Sequence, residues 1–287
     1  TMSIFNSTTA LGVTPEQINS EVGTFGIPEY GTKFARGMLV DTHPTTFDEL
    51  IRLSGLSHGT DVWLGNAQSL IEEGIVTLKE AICCRDDIMV YLMKKGLPPD
   101  KAFKIMETVR KGKALKDPEK WEGFKQIMKE YDIPDWYVKS CEKIKYMFPK
   151  AHAAAYVTNA FRIAWFKVHI PLAYYAAYFT IRAKAFDAEF MINGKAKVEA
   201  KMREITNLGN AATPKDKEMY DDLELVHEMY ERGFEFLPVD LYKSHSTKFQ
   251  IEDGKLRPPL NSIAGLGTVA AESIYQARLE EPFECIE

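Results

Sequence analysis

Lys145-Tyr-Met-Phe-Pro-Lys-Ala-His-Ala-Ala-Ala-Tyr156 runs on to Lys167-Val-His169 with no glycine or proline after Pro149. Alanine, the best helix former, is frequent, so the spacing predicts a turn that becomes a helix over 151–168. Pro149 suits the first helical position, where its missing N–H is not needed. Lys167 and His169 fall in the last turn, where the helix dipole favours cations, and Pro171 stops the run. Lys150 and His152 then sit in the first turn, beside unpaired backbone N–H groups, which is an anion site in outline. His152, Tyr156, Asn159 and Ile163 share one face by their three-and-four spacing, with Arg162 next to it. A nucleotide fits that face; so does a plain alanine-rich core helix, and spacing alone favours the core helix, because periodicity marks cores more often than sites.

Outward from this stretch the chain reads as mainly α. Its 287 residues, 45% hydrophobic and 27% charged, are those of a globular protein, enough for one large domain or two smaller ones. No apolar run is long enough to span a bilayer, and no signal-peptide pattern opens the chain. A start at Thr1 without Met reads as a piece of a longer protein. Cys83, Cys84, Cys141 and Cys285 show no C-x-x-C pairing, which points to reduced thiols and no zinc site. The net charge is −5, but residues 101–150 carry twelve Lys and one Arg against eight Asp plus Glu. That stretch is net +5 and the remainder −10, an electrostatic footprint for phosphate or a solvated helix face.

Before the central stretch, Thr14-Pro-Glu-Gln17 starts one helical turn, and 32–40 reads as a short helix. Thr45 or Thr46 caps a helix over 47–53 that Gly55 stops, so 55–60 reads as a turn. Thr60 or Asp61 caps a helix through Ile71, and Thr77 begins another capped segment. His58 in the turn either donates to a phosphate or braces the loop. Residues 86–95 form a helix ended by Gly96. A further helix from Lys101 turns Phe103, Ile105, Met106 and Val109 inward. At its end Arg110, Lys111 and Lys113 crowd Gly112, either as dipole-favoured cations or as a phosphate clamp where the backbone comes close. Two amphipathic helices cover 121–130 and 136–145, with Lys139, Lys143 and Ile144 marking faces of the second.

After it, Tyr174 and Tyr178 read as core. Residues 186–231 read as helical, with Met219, Leu223, Val226 and Tyr230 as a core stripe and Gly233 as the stop. Residues 247–257 read as a hairpin turning on Asp253-Gly254. Ile263-Ala-Gly-Leu-Gly-Thr-Val-Ala-Ala271 has the apolar-x-Gly-x-Gly pattern of a helix-hairpin-helix, whose Gly265 and Gly267 let backbone N–H groups approach a DNA phosphate. The same residues could be a plain helix start.

Several long words of this chain carry a resemblance. Phe148-Pro-Lys-Ala-His-Ala-Ala-Ala-Tyr156 and Ala164-Trp-Phe-Lys-Val-His-Ile-Pro171 resemble the fingers signature of the bacterial family C replicative DNA polymerases, in their PolC-type wording. Gly26-Ile-Pro-Glu-Tyr-Gly-Thr32, Gly55-Leu-Ser-His-Gly-Thr-Asp-Val-Trp-Leu-Gly-Asn66, Cys84-Arg-Asp-Asp-Ile-Met-Val-Tyr-Leu92 and Phe103-Lys-Ile-Met-Glu-Thr-Val-Arg-Lys-Gly-Lys113 are similar to the same family. The resemblance implies a helical fingers domain over 1–233. The start of a duplex-binding region, a small β-hairpin and a helix-hairpin-helix, would follow over 234–287. It implies nucleotide contacts from Arg110, Lys111, Lys113, Lys150, His152, Tyr156, Asn159 and Arg162, and DNA contacts from His58, Lys143, Lys145, Gly265 and Gly267. Implied partners are dNTP, primer–template DNA, the palm and thumb of the same polymerase and, through the parent, the sliding clamp and cytoplasmic, nucleoid-associated replisome. Mg²⁺ is implied only in the palm, on an Asp-x-Asp pair that this sequence lacks, so this chain alone is expected to have no catalytic or metal-binding residues. Asp86-Asp87 and Asp221-Asp222 diverge around a helix and read as caps or ion pairs. The competing reading is a separate helix-hairpin-helix module of a DNA-repair protein.

Overall fold

The computed structural model describes residues 1–283; Cys285 lies outside the described residues. The first thirty residues are loop punctuated by single turns, among them α1 (Pro15–Ile18), where Thr14 and Gln17 cap each other reciprocally. Next come α2 (Lys33–Thr42), capped by Thr32, and α3 (Phe47–His58), with a Thr46/Glu49 capping box. A π-helical turn, Trp63–Ala67, leads into α4 (Gln68–Glu72). The pair α5 (Arg85–Lys94) and α6 (Pro99–Arg110) is followed by α7 (Pro118–Glu130), α8 (Asp135–Lys143) and the long α9 (Lys150–His169). After α9 come α10 (Pro171–Ile181), α11 (Ala188–Met191), α12 (Lys195–Leu208) and α13 (Pro214–Glu231). The antiparallel hairpin β1 (Gln250–Glu252) and β2 (Lys255–Arg257) and a last helix, α14 (Thr268–Glu280), complete the order. Mainly helical with one hairpin is the class the sequence predicts.

One hydrophobic cluster runs from Ile4 to Leu256. In α9 the buried positions are Ala153, Val157, Ala160 and Ala164, small enough to let α3 and α10 approach closely. The opening loop drapes over this helix: Phe5 stacks on Phe161 at 6.0 Å. Lys167 is fully buried. Its ammonium donates to the carbonyls of Gly23 (2.8 Å) and Phe25 (2.7 Å) and pairs with Glu228 at 2.9 Å. Glu228 also accepts from the Tyr175 hydroxyl at 2.6 Å. The β-hairpin packs on α10, and Phe249, just before β1, joins Phe179 of α10, Phe186 and Phe236 in one aromatic cluster. Asp253 (φ 52°) and Gly254 (φ 73°) give the two positive φ values its tight turn requires. No helix among the described residues is long and apolar enough to cross a membrane.

The structure corrects several expectations. Gly55 does not stop α3, which continues to His58, so 55–60 is not a turn. The glycine is there for contact, since a Cβ would lie 2.6 Å from the Cys83 carbonyl oxygen. The helix expected from Thr60 or Asp61 to Ile71 breaks at Leu64 and Gly65, and Thr77 closes one turn with Glu80 rather than a helix. Phe103 is exposed, because α6 buries the face of Ile105, Met106 and Val109. The helix expected over 136–145 ends at Lys143, and 186–231 divides at Gly194 and Gly209. Pro149 is the residue before α9, not its first residue. Lys167, expected as a dipole-favoured cation, is instead a buried staple. A single 3₁₀ turn, Leu260–Ser262, precedes the Gly265–Gly267 hairpin.

Candidate functional site

The extended strap 144–149 before α9 is where distant parts of the chain meet. Its backbone is bonded on every side: Thr60 N–H donates to the Tyr146 carbonyl (2.9 Å) and Lys145 N–H to that of Thr60 (3.0 Å). Met147 N–H donates to the Arg110 carbonyl (3.2 Å), and Arg85 N–H to that of Phe148 (3.2 Å). Gly112, at φ 61°, presses on the strap so closely that a Cβ would lie 2.4 Å from the Lys145 carbonyl oxygen. Its close approach is therefore to the strap and not to a ligand. These bonds fix the basic turn at the end of α6 beside the start of α9.

At that start the aromatic side chains form a column. Tyr146 meets Phe148 edge-on at 5.1 Å, Phe148 stacks on His152 at 5.1 Å, and His152 lies 4.6 Å from Tyr156. His152 and Tyr156 are exposed; Asn159 and Arg162 continue the exposed surface along α9. Beside the column a cleft of about 200 Å³ is lined by Glu29, Ser54, His58, Phe148, His152, Ala153 and Tyr156. Whole-ligand pockets begin near about 300 Å³, so this cleft suits one ring of a larger ligand.

Most of the cations expected to meet phosphate already have partners. The first N–H of α9, at Lys150, donates to Asp86 at 2.6 Å, so a carboxylate already takes part of the helix start. The Lys150 ammonium pairs with Asp48 at 3.3 Å and that of Lys145 with Asp61 at 2.6 Å. Arg110 and Lys111 share Glu107, through the Arg110 Nη2 at 2.9 Å and the Lys111 ammonium at 2.8 Å. These bonds, that of Arg110 first, hold the Glu107 carboxyl down to about 2. Lys143 donates to the Gly65 carbonyl at 2.7 Å. His58 gives one ring nitrogen to Glu29 (2.7 Å) and the other to the Ser54 carbonyl (2.8 Å). Both partners are acceptors, which favours the doubly protonated ring, and the Glu29 bond raises its pKa. His58 thus ties the end of α3 to Glu29 in the opening loop. Lys113 is exposed and has no carboxylate in ion-pair range among the described residues.

Ile144 and Lys145 at the start of the strap also border a groove of about 580 Å³, whose other lining residues include Asp61, Gly112, Lys116, Glu142 and Lys143. Gly265 (φ 85°) and Gly267 stand in open space at the start of α14, which has no side-chain cap.

Sequence reasoning missed the carboxylates Glu107 and Glu29 and the Lys167–Glu228 pair; it read Asp86 as a cap or ion pair without finding that the helix it caps is α9. Glu107 was findable, because its three- and four-residue spacing to Arg110 and Lys111 is that of helical ion pairs. The others depend on contacts distant in sequence. It also missed Glu199, His227 and Glu231, whose ligand atoms lie within 4.8 Å of one another. There Lys195 already pairs with Glu231 at 2.9 Å, and His227 with Glu199 at 3.1 Å. The acidic doublets do not fit a two-metal site: Asp86 caps α9, Asp87 caps α5 through the N–H of Cys84, and Asp222 accepts from Ala185 N–H. Cys83, Cys84 and Cys141 are buried free thiols.

The family model for the bacterial DNA polymerase III alpha subunit finger domain matches residues 1–132, and that for a helix-hairpin-helix motif matches 233–287. Among curated relatives, a protein named DNA polymerase III PolC-type from Oceanobacillus iheyensis is 59% identical over 282 residues, 98% of this chain and 19% of its own length. Relatives of the same name from Clostridium perfringens and Caldanaerobacter subterraneus subsp. tengcongensis are each 55% identical, over 98% and 100% of this chain and 19% and 20% of their own. The chain thus spans about one fifth of the length of the relatives it matches. Single relatives run through both helical and hairpin parts, which leaves a separate repair module without support.

Proposed function

With residues 1–132 belonging to the finger-domain family of the bacterial DNA polymerase III alpha subunit, we propose that this chain is the fingers and the start of the duplex-binding region of a replicative DNA-directed DNA polymerase. The incoming dNTP lies along the head of α9: its base or sugar against Tyr156 and His152, its phosphates toward Lys113, Arg110, Lys111 and Lys150. Asn159 and Arg162 extend that surface. Primer–template DNA runs past Lys143 and Lys145 and is gripped by its backbone at Gly265 and Gly267, without base readout. The fingers give way to the duplex-binding region near residue 233. The palm, the thumb and, through the parent, the clamp and replisome are the partners, in the cytoplasm.

The observation that carries this reading is the strap, whose bonds to Arg110 and Thr60 tie the basic turn at the end of α6 to the start of α9 and its aromatic column. Base stacking on an aromatic ring beside charge-assisted phosphate contacts is the chemistry a nucleotide needs. Divalent metal in the parent would activate the 3′ hydroxyl and steady the leaving pyrophosphate. The residues of this chain do not fit that site, so no step of it is assigned here.

The test is steady-state incorporation of each dNTP by the complete polymerase, with a melting curve for each variant. Tyr156→Ala alters discrimination at sugar or base, and Lys113→Ala raises KM for all four dNTPs alike. If both variants fold normally and incorporate like wild type, the nucleotide lies elsewhere. The isolated chain gives no primer extension with Mg²⁺ or Mn²⁺.

A further inference from the structure

We propose that Glu107 is a positioning residue for the nucleotide's phosphates, acting through Arg110 and Lys111; this rests on the nucleotide site described above. Glu107 lies one helical turn before the basic turn. Its two oxygens take the Arg110 Nε and Nη2 side by side, and one of them also takes the Lys111 ammonium at 2.8 Å. A planar guanidinium held by two parallel bonds is fixed in direction as well as in place, which a single contact would not achieve. The backbone is fixed independently, because the Arg110 carbonyl accepts from Met147 in the strap. Arg110 is therefore held at both ends, by the strap through its main chain and by Glu107 through its side chain.

Two features separate this from an ordinary surface ion pair. The Arg110 and Glu107 side chains are only 22% and 21% exposed, so solvent loosens the fork less than it loosens an exposed pair. The Arg110 Nη1 makes no hydrogen bond to protein among the described residues, which leaves one edge of an otherwise fixed guanidinium for a ligand. One carboxylate also serves two cations, so the group keeps a net positive charge. Glu107 thus orders the pair without cancelling it.

The test uses the complete polymerase carrying this chain. Glu107→Ala is expected to raise KM for all four dNTPs about five- to tenfold, less than the loss of a whole charge-assisted contact because Arg110 and Lys111 keep their charges, with kcat little changed. Glu107→Gln, which keeps one acceptor for Arg110, recovers part of that loss. The split between KM and kcat, with the partial rescue, is what a merely stabilising ion pair would not produce. Should Glu107→Ala fold poorly, Glu107→Gln against wild type carries the comparison. Unchanged or lower KM in the folded variants, while Arg110→Ala raises it, overturns the positioning role alone. Unchanged KM in Arg110→Ala as well overturns the nucleotide site beneath it.

Discussion

The two ends of α9 each carry a lysine paired with a carboxylate, and they do opposite work. At the C-terminal end Lys167 and Glu228 are wholly buried, with every other partner supplied by Gly23, Phe25 and Tyr175. At the N-terminal end Lys150 reaches Asp48 at 3.3 Å across a surface where both side chains are well exposed. The first pair ties the opening loop, α9 and α13 into one body and has no freedom to exchange partners. The second can release its lysine cheaply, since exposed pairs contribute only about 0–1 kcal/mol. One helix is thus anchored at its tail and left available at its head.

The largest effect expected from this contrast is on stability. Lys167→Met leaves Glu228 buried without its cation and should cost about 3–5 kcal/mol, where Lys150→Met costs under about 1 kcal/mol. Adding Glu228→Leu to Lys167→Met should recover much of the loss, because an apolar pair replaces a broken ionic one. Denaturant melts of the three variants check this. Equal midpoints for Lys167→Met and Lys150→Met would remove the distinction between the two ends.

A pH series sharpens the same contrast. On α13, one turn before Glu228, burial raises the Glu224 carboxyl from 4.5 to about 7, only partly opposed by Arg36 at 3.8 Å. Between those values the folded state holds a proton that the unfolded chain has lost. The contribution is therefore full below about pH 4.5 and lost as pH rises through about 7. Asp222, raised to about 6 by burial, acts in the same direction. Glu224→Gln should flatten the stability curve between pH 5 and 7.5 by about 1–3 kcal/mol relative to wild type. Curves that stay parallel throughout would contradict the raised carboxyl.

The tail of α9 was the less legible end from sequence. Lys167 follows the rule for a cation in a last turn, and nothing local to it announces Gly23, Phe25 or Glu228, which are 61 or more residues away. The helix itself, the hairpin with its Asp-Gly turn and the caps at Thr14 and Thr46 were all readable, because each depends on residues a few positions apart. Glycine was the least reliable guide. Gly55 and Gly112 are present because another backbone passes against them, and spacing carries no record of that. At the head of α9, sequence put His152 and Tyr156 on one face, but it did not bring Phe148 to them or Asp86 to the first helical N–H.

Among the cations of the head, the extent of pairing ranks the next effects. Lys113 has no carboxylate partner among the described residues, whereas Lys150 must leave Asp48 before it can serve a phosphate. In the complete polymerase, Lys113→Ala should raise KM for dNTP about tenfold, the worth of a charge-assisted contact. Lys150→Ala should raise it only about two- to threefold, since part of its contact energy is offset by the pair it gives up. The reverse order in steady-state incorporation would mean that internal pairing does not govern which cation meets the phosphates.

The smallest stability effects are expected at the hairpin before α14. Gly265 and Gly267 both have open space around them, so a side chain meets nothing at either. They differ in backbone. Gly265, at φ 85°, occupies a conformation that costs an L-residue about 1 kcal/mol or more, while Gly267, at φ −70°, is in ordinary extended geometry. Gly267→Val should therefore leave the melting temperature almost unchanged, and Gly265→Val should lower it slightly. Gly267 also stands immediately before the first uncapped N–H groups of α14, where a β-branched side chain keeps a phosphate from the backbone. Gly267→Val should then weaken duplex binding by the complete polymerase, equally on unrelated sequences, because a backbone contact carries no base information. Binding measured at two salt concentrations on two unrelated duplexes separates the outcomes. A loss confined to one sequence would make the hairpin a base reader, and unchanged affinity on both would remove it from the DNA surface.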